Sequence, residues 1–471
     1  MSTTAEKDLE TMLGDPKKAL LAMSIPLAVS YAVVQINSFA DASWCSGLGV
    51  EASSAVATIC PVYWILNGIG AGIGIGASAV ISSRLGRGLK DRAEKAAWSA
   101  VAMTLAISLA CIPITYMLIG PCISWLGADD IAEQCWDYIA PIVLLCPFNI
   151  LSGTLAGTMR GEGAARKTMA MTSAAAVSNM AMDPLLIYVL DMGLYGAGLA
   201  TALSSALSCA ICLCWYLRES LCLRLKTDGS DSSEAYAVLR AGAPRSAEYF
   251  LVYFMSMVQR AVIISSVDAV SVALYSMTWM FVSVACVASM AVGAALVPIC
   301  SSALATRDTK KAETAFRYSC KACLAVMTVA AALLFVFADQ AVAVFSYTGS
   351  MEELRDEFAF VLRVYCVFMP VVGLIDVGSS MLQAMGKAKV SLASSFLRNI
   401  VIIALLAVFS PISSDAVFYS LAAAELIGVV LMMAPAMLYF SEYKRAGRLR
   451  SRARGISSTH PDRPTAPLQR T

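Results

Sequence analysis

Two aspartates and their neighbours carry the chemistry this sequence offers. Asp183 falls well inside a long apolar run and is followed by Pro184. Asn179 precedes it by four residues, so amide and carboxylate stack on one helical face. Asp41 lies at the far end of the first apolar run, with Asn37 four residues earlier on the same face and Pro26 lower down, where the missing N–H permits a kink. An ionisable group inside an apolar segment is costly and marks an ion or substrate path. Asp41 reads equally as a wetted helix-end residue or as an intramembrane ligand. Thr201, early in the run after Gly196, adds a hydroxyl. At 1.5 Å per residue, Asp183 sits about 25 Å along its helix from one face of the membrane, and Thr201 about 9 Å from the other. Both depths fit one site. Carboxylate, amide carbonyl and hydroxyl oxygens are hard ligands, suited to an alkali cation or a relayed proton; the alternative for them is a polar helix–helix contact.

The elements that must position these residues follow from composition. Of 471 residues, 58% are hydrophobic and 14% charged, well away from the roughly 25% charged residues of soluble domains. Apolar runs recur over residues 19–42, 50–80, 95–119, 132–158, 166–190, 195–217, 239–266, 269–302, 318–338, 355–384, 389–411 and 415–440. Each is long enough to cross a hydrocarbon core of about 30 Å. The expectation is an all-α polytopic membrane protein of twelve transmembrane helices. The polar residues before 19 lack the charged start and cleavage site of a signal peptide.

Loop charge alternates. One set carries Arg84, Arg87, Lys90, Arg160, Arg166, Arg218, Arg224, Arg307, Lys310, Lys387 and the run from Lys444 to Arg454. The opposite set carries Asp129, Asp130, Asp191, Asp268, Glu352, Glu353, Asp356 and Asp415, with Arg355 as its basic member. The positive-inside rule puts both termini in the cytoplasm. An offset of 219 aligns Arg92-Ala93-Glu94 with Lys311-Ala312-Glu313, Gly74 with Gly293, and Ser82-Ser83 with Ser301-Ser302. The chain therefore reads as two parallel six-helix lobes related by a pseudo-two-fold axis. The expected organisation is a cytoplasmic lead-in at 1–18, a first lobe at 19–225, a linker at 226–238, a second lobe at 239–441 and a basic, disordered tail at 442–471. The tail's cationic cluster would attract anionic lipid headgroups.

The second lobe differs in charge. The repeat offset places Arg260 opposite Asp41; Glu248, Arg363, Asp376, Arg398 and Glu425 are the other intramembrane candidates. Arg245 and Glu248, three apart, are expected to pair, and Asp376 to take Arg398 or Arg260. The run Gly68-Ile69-Gly70-Ala71-Gly72-Ile73-Gly74-Ile75-Gly76 lacks the strand of a dinucleotide loop, so its glycines signal close helix packing. The spacings Cys209–Cys212 and Cys320–Cys323 read as small apolar residues rather than metal ligands; the single histidine is His460, in the tail. No catalytic triad, metalloprotease pattern or P-loop is present, which excludes an enzyme or ATPase of those types.

Three stretches resemble the multidrug and toxic compound extrusion (MATE) family, in its prokaryotic form. They are Arg160-Gly161-Glu162-Gly163, the pair of segments Asn179 to Pro184 and Gly193 to Thr201, and Gln383-Ala384-Met385-Gly386-Lys387 with Arg398 beyond. The similarity covers residues 15–440. It implies a central cavity alternately open to either side and export of organic cations or drugs in exchange for Na+ or H+, with no cofactor. It implies cation coupling, and a Na+ site if sodium is the ion, at Asp41, Asn179, Asp183 and Thr201, with Pro26 as hinge. Tyr138 matches a tyrosine lining the first lobe, and Asn37, Arg260 and Asp376 join it as substrate-cavity candidates. The expected partners are small organic cations and membrane lipids, not nucleic acid, in a monomer of the cytoplasmic membrane. A flippase for lipid-linked precursors, a dedicated metabolite exporter, and a channel or scaffold are the competing readings.

Overall fold

A computed structural model describes residues 3–125, 128–225, 231–266, 269–343 and 354–457. The described chain is helical throughout. After a short amphipathic helix α1 (Thr3–Leu13), long helices follow: α2 (Pro16–Ser46), α3 (Val50–Gly86) and α4 (Lys90–Trp125). Then come α5 (Ala132–Leu144), α6 (Cys146–Gly161), α7 (Ala165–Pro184) and α8 (Gly193–Leu217). The second half comprises α9 (Ser232–Ser266), α10 (Ala269–Ala305), α11 (Thr309–Val336), α12 (Ala338–Ala343), α13 (Arg355–Val372), α14 (Leu374–Ala384), α15 (Ala388–Phe409) and α16 (Ser414–Ser457).

Nine spans among the described residues are long and apolar enough to cross a membrane, α13 and α14 counting as one. The pair α5–α6 makes a tenth, bent by 56°. The break follows from Pro141 within α5 and Pro147 at the start of α6. Helices α7 and α9 complete the set of twelve while carrying more polar residues, and α7 is the one that holds Asn179 and Asp183. The fold is thus the expected all-α polytopic membrane architecture.

Local signals set the helix starts. Asp15 caps α2 by accepting from the backbone N–H groups of Lys18 and Lys17, at 2.9 and 3.1 Å. The Lys18 bond is the main reason its carboxyl is held below the usual carboxylate range. Asp308 caps α11 in the same way through Lys311.

Helix α3 has two packing faces. A side chain at Gly70 or Gly74 would collide with the backbone of α6, at Ile150 and Gly153. One at Gly68, Gly72 or Gly76 would collide with α9, at Tyr249, Ser246 and Gly242. The glycines therefore let one helix approach both halves at backbone distance, as the sequence pattern predicts. The Ser246 hydroxyl donates to the Ile69 carbonyl across this seam at 3.1 Å, and Trp64 stacks on Tyr253 with ring centroids 5.9 Å apart.

Helix α1 and the Lys444 region of α16 lie at one end of the molecule. There Lys311 donates to the Leu13 carbonyl, and Lys444 pairs with Glu313 at 2.5 Å. Met12 of α1 is fully buried. The halves also meet at this end: Arg84 pairs with Glu234 at 3.1 Å, and the Arg87 Nε donates to the Ala305 carbonyl at 3.2 Å.

Two boundaries differ from expectation. Residues 442–457, expected to be irregular, continue α16 as helix through Gly447 and Gly455; the stretch carries no proline, and its arginines are good helix formers. Within the expected linker, residues 232–238 already form the first turns of α9, and Val238 is fully buried against first-half residues. Residues 226–230 and the tail beyond 457, with His460, lie outside the described residues.

Candidate cation and substrate sites

The first site is built where α2, α5, α7 and α8 converge. Asn37 donates its amide to Asn179 Oδ1 at 2.8 Å, and Asn179 in turn donates to Asp183 Oδ1 at 3.0 Å. Two helices are thereby joined by an amide relay that ends on a carboxylate. Asp183 has no exposed surface and Asn179 almost none. Pro184 ends the α-helical run, and a π-helical turn, Leu185–Val189, follows. Such turns open the backbone ladder beside functional residues.

Asp41 lies one turn beyond Asn37 on α2, half-buried, with the Tyr138 side chain beside it. Thr201 is buried on α8, its hydroxyl donating to the Ala197 carbonyl at 3.2 Å, which leaves its oxygen lone pairs free to accept. Backbone contact between Gly198 and Tyr138 brings α8 against α5 beside it. Pro26 lies within α2, which remains a single helix through it.

Three buried oxygens of this cluster have no hydrogen-bond partner: Asp183 Oδ2, Asp41 Oδ1 and Asn37 Oδ1. None of the ion pairs among the described residues involves either aspartate. Leaving a carboxylate buried and unpaired costs several kcal/mol. An arrangement of oxygen acceptors without a neighbouring cationic side chain fits a bound alkali cation or a captured proton. Sequence reasoning missed α3 here. Tyr63 and Cys60 lie within electrostatic reach of Asp41, and Asn67 lies beside Tyr63 one turn further along α3. The spacing 60, 63, 67 along one helical face was the available signal.

The second site is a cavity of about 280 Å3 facing the seam between the halves. Tyr31, Tyr249, Tyr253 and Trp279 supply aromatic wall; Arg245, Glu248, Asp376 and Arg398 supply charge. Arg245 pairs with Glu248 at 2.9 Å, as their spacing predicts, and its guanidinium lies 4.6 Å from the Tyr249 ring centre. Glu248 also accepts from Ser395 at 2.5 Å and from Ser391. Arg398 does not take Asp376. It binds Glu425 through Nε and Nη2 at 3.1 and 2.7 Å, because the carboxylate of α16 lies directly across the helix contact. Asp376 instead accepts from the Ser289 hydroxyl at 2.7 Å. Arg260 lies exposed on α9, away from this cavity's lining.

A family profile described as MatE matches residues 26–185 and 244–409, most of both halves. The chain belongs to the MatE family. This is a family of transporters rather than enzymes. Among curated relatives, the chain is 25% identical to the FAD transporter of Shewanella oneidensis over 405 residues, 84% of this chain and 88% of that one. It is 22% identical to the multidrug export protein MepA of Staphylococcus aureus over 414 residues, 87% of this chain and 90% of that one. Among solved structures, a MOP superfamily transporter from Pyrococcus furiosus superposes with a TM-score of 0.89 at 23% identity, covering 93% of this chain and 99% of that one. An outward-facing multidrug resistance MATE family transporter gives the same figures, TM-score 0.89 at 23% identity over 93% and 99%. The MATE fold of this chain is therefore shared along nearly its whole length.

Proposed function

We propose that this MATE protein is a secondary antiporter, driven by Na+ or H+, that exports aromatic organic cations by alternating access. The observation carrying this reading is the set of partnerless oxygens on Asp41, Asp183 and Asn37, joined through Asn179. Asp183 and Asp41 supply negative charge for the coupling ion, Asn179 orients Asp183, and Thr201 contributes an oxygen. Pro26 is the hinge that lets α2 change course when the ion arrives. Because α2 also borders the seam, occupancy of the acidic cluster biases which end of the molecule opens. The basic end, with both termini, faces the cytoplasm by the positive-inside rule. The protein then acts as a monomer in the cytoplasmic membrane.

Charge in the seam cavity supports a cationic substrate. Arg245 and Arg398 are each neutralised by their own glutamate, which leaves Asp376 as the carboxylate without a basic partner. The tyrosine and tryptophan walls suit a flat, aromatic cation. The two guanidiniums, together with the FAD-transporting relative, favour as second reading an aromatic compound carrying phosphate or carboxylate. One experiment separates the two: purified protein in liposomes, with sodium and proton gradients imposed in turn, presented with a cationic dye or with a flavin nucleotide. Gradient-driven accumulation of the dye, abolished by Asp183→Asn, upholds the proposal. Accumulation of the flavin alone transfers the substrate assignment to the second reading, and transport of neither under any gradient rejects both.

A further inference from the structure

A further cavity, about 540 Å3 in volume, lies at the terminal end, between α3 of the first half and α9, α10, α14 and α16 of the second. Its charge is one-sided. Arg84, Arg87 and Arg240 line it, and among the described residues no acidic side chain does. Arg84 is balanced by Glu234 at 3.1 Å, outside the lining. Arg87 uses its Nε on the Ala305 carbonyl, which leaves both terminal amino groups of its guanidinium for another partner. Arg240 is exposed beside it. Ser301 also lines the cavity, nine-tenths buried, with a hydroxyl that has no hydrogen-bond partner. Gln383 and Tyr236 add further polar atoms to the wall.

Among the described residues neither Arg87 nor Arg240 has a carboxylate partner, and a guanidinium offers paired donors whose geometry matches phosphate oxygens. A hydroxyl left buried and unpaired is likewise a group waiting for an acceptor. The volume falls within the range of small-ligand pockets, roughly 300–1,000 Å3. We propose that this cavity binds a phosphate-bearing anion. Its source is either a soluble phosphate compound or the headgroup of an anionic phospholipid, since basic pockets between helices at a membrane boundary take such headgroups.

The position of the cavity gives the ligand a consequence. Arg84 and Arg87 sit on α3; Arg240, Ser301 and Gln383 belong to the other half. The cavity exists only while the halves are together at this end. A ligand that binds one conformation and not the other shifts the equilibrium toward the one it binds. The anion therefore holds the terminal end closed, as a brake on the transport cycle.

The test does not depend on ion coupling or on the transported substrate, so its outcome is separable from that of the proposed function. Thermal stability of the purified full-length protein would be followed with inorganic pyrophosphate in neutral detergent, and separately in nanodiscs of phosphatidylcholine with or without cardiolipin. Arg87→Gln/Arg240→Gln is compared with wild type in both arms; Arg84 is left in place because it holds Glu234. Basic residues outside the cavity's lining, in Lys310→Gln/Arg317→Gln, serve as the charge control. Stabilisation of wild type by pyrophosphate, weakened about tenfold or more in apparent affinity by the cavity variant alone, assigns a soluble phosphate ligand. Stabilisation by cardiolipin with the same dependence assigns a headgroup. No stabilisation in either arm overturns the proposal, as does stabilisation that the cavity variant retains or that the control variant loses equally. Spin labels across the seam at the terminal end would report a larger closed fraction with the effective ligand, and an unchanged distribution would overturn the brake.

Discussion

Arg398 grips Glu425 with a guanidinium fork at 2.7 and 3.1 Å, on a pair of side chains that are 15% and 4% exposed. This pairing decides the electrostatics of the second half. It removes the basic group that Asp376 would otherwise meet, and it fixes α15 to α16. Truncating one partner leaves the other charge buried. Arg398→Met or Glu425→Gln alone is expected to destabilise the protein by about 3–5 kcal/mol, whereas Arg398→Met/Glu425→Leu should lie close to wild type. Thermal unfolding in detergent measures the cycle, and a double variant no better than the singles would show that the pair does more than satisfy itself.

Asp376, bonded to Ser289 and to no guanidinium, should govern the charge preference of the cavity. In Asp376→Asn, transport of a cationic aromatic dye is expected to drop about tenfold while that of a neutral aromatic analogue holds. Competition assays in liposomes give the ratio. An equal fall for both compounds would mean that Asp376 is structural, held for its bond with Ser289.

At the acidic cluster, Asp41→Asn and Asp183→Asn should each reduce gradient-driven transport to the level of protein-free liposomes without loss of folded protein. Asn179→Ala removes the donor to Asp183 and the acceptor for Asn37. Its expected cost is about 1–3 kcal/mol in ion affinity, read as a displaced sodium or proton dependence of transport. Unaltered ion dependence in Asn179→Ala would reduce the relay to a packing contact.

The loop after α6 contains a buried acid outside the membrane-spanning helices. Glu162 accepts from the Tyr216 hydroxyl and the Leu223 N–H, both at 3.0 Å. Burial raises its pKa from 4.5 to about 7, against the lowering effect of the Leu223 N–H and Tyr216 bonds. A carboxyl whose folded-state pKa is raised contributes stability below its ordinary pKa, and that contribution is lost as pH rises through the folded value. Melting temperature should therefore decline from about pH 5 to about pH 8, and Glu162→Gln should flatten the decline. A wild-type profile already flat over that interval would contradict the assignment.

Much of this was legible in the residues themselves. The apolar runs foretold the spans, and the three-residue spacing of Arg245 and Glu248 foretold their bond. The four-residue spacing of Asn179 and Asp183 foretold their contact. What sequence could not supply was partnership between helices. Glu425 lies on a different helix from Arg398, and nothing in either segment names the other. Asn37 was visible as a neighbour of Asp41, but its bond to Asn179 exists only because α2 and α7 are pressed together. Arg84 and Arg87 read as topology signals, and Arg240, inside the run 239–266, carried no reading of its own. The fold puts all three into one cavity.

The two faces of α3 have a consequence for how damage to this transporter is interpreted. Gly74 presses on the backbone of its own half, and Gly72, two residues away, presses on the opposite half. A methyl group at the first would act as a flaw in a wall; at the second it would act as grit in a bearing. Substitutions between Gly68 and Gly76 thus separate defects of assembly from defects of motion within little more than two turns of one helix.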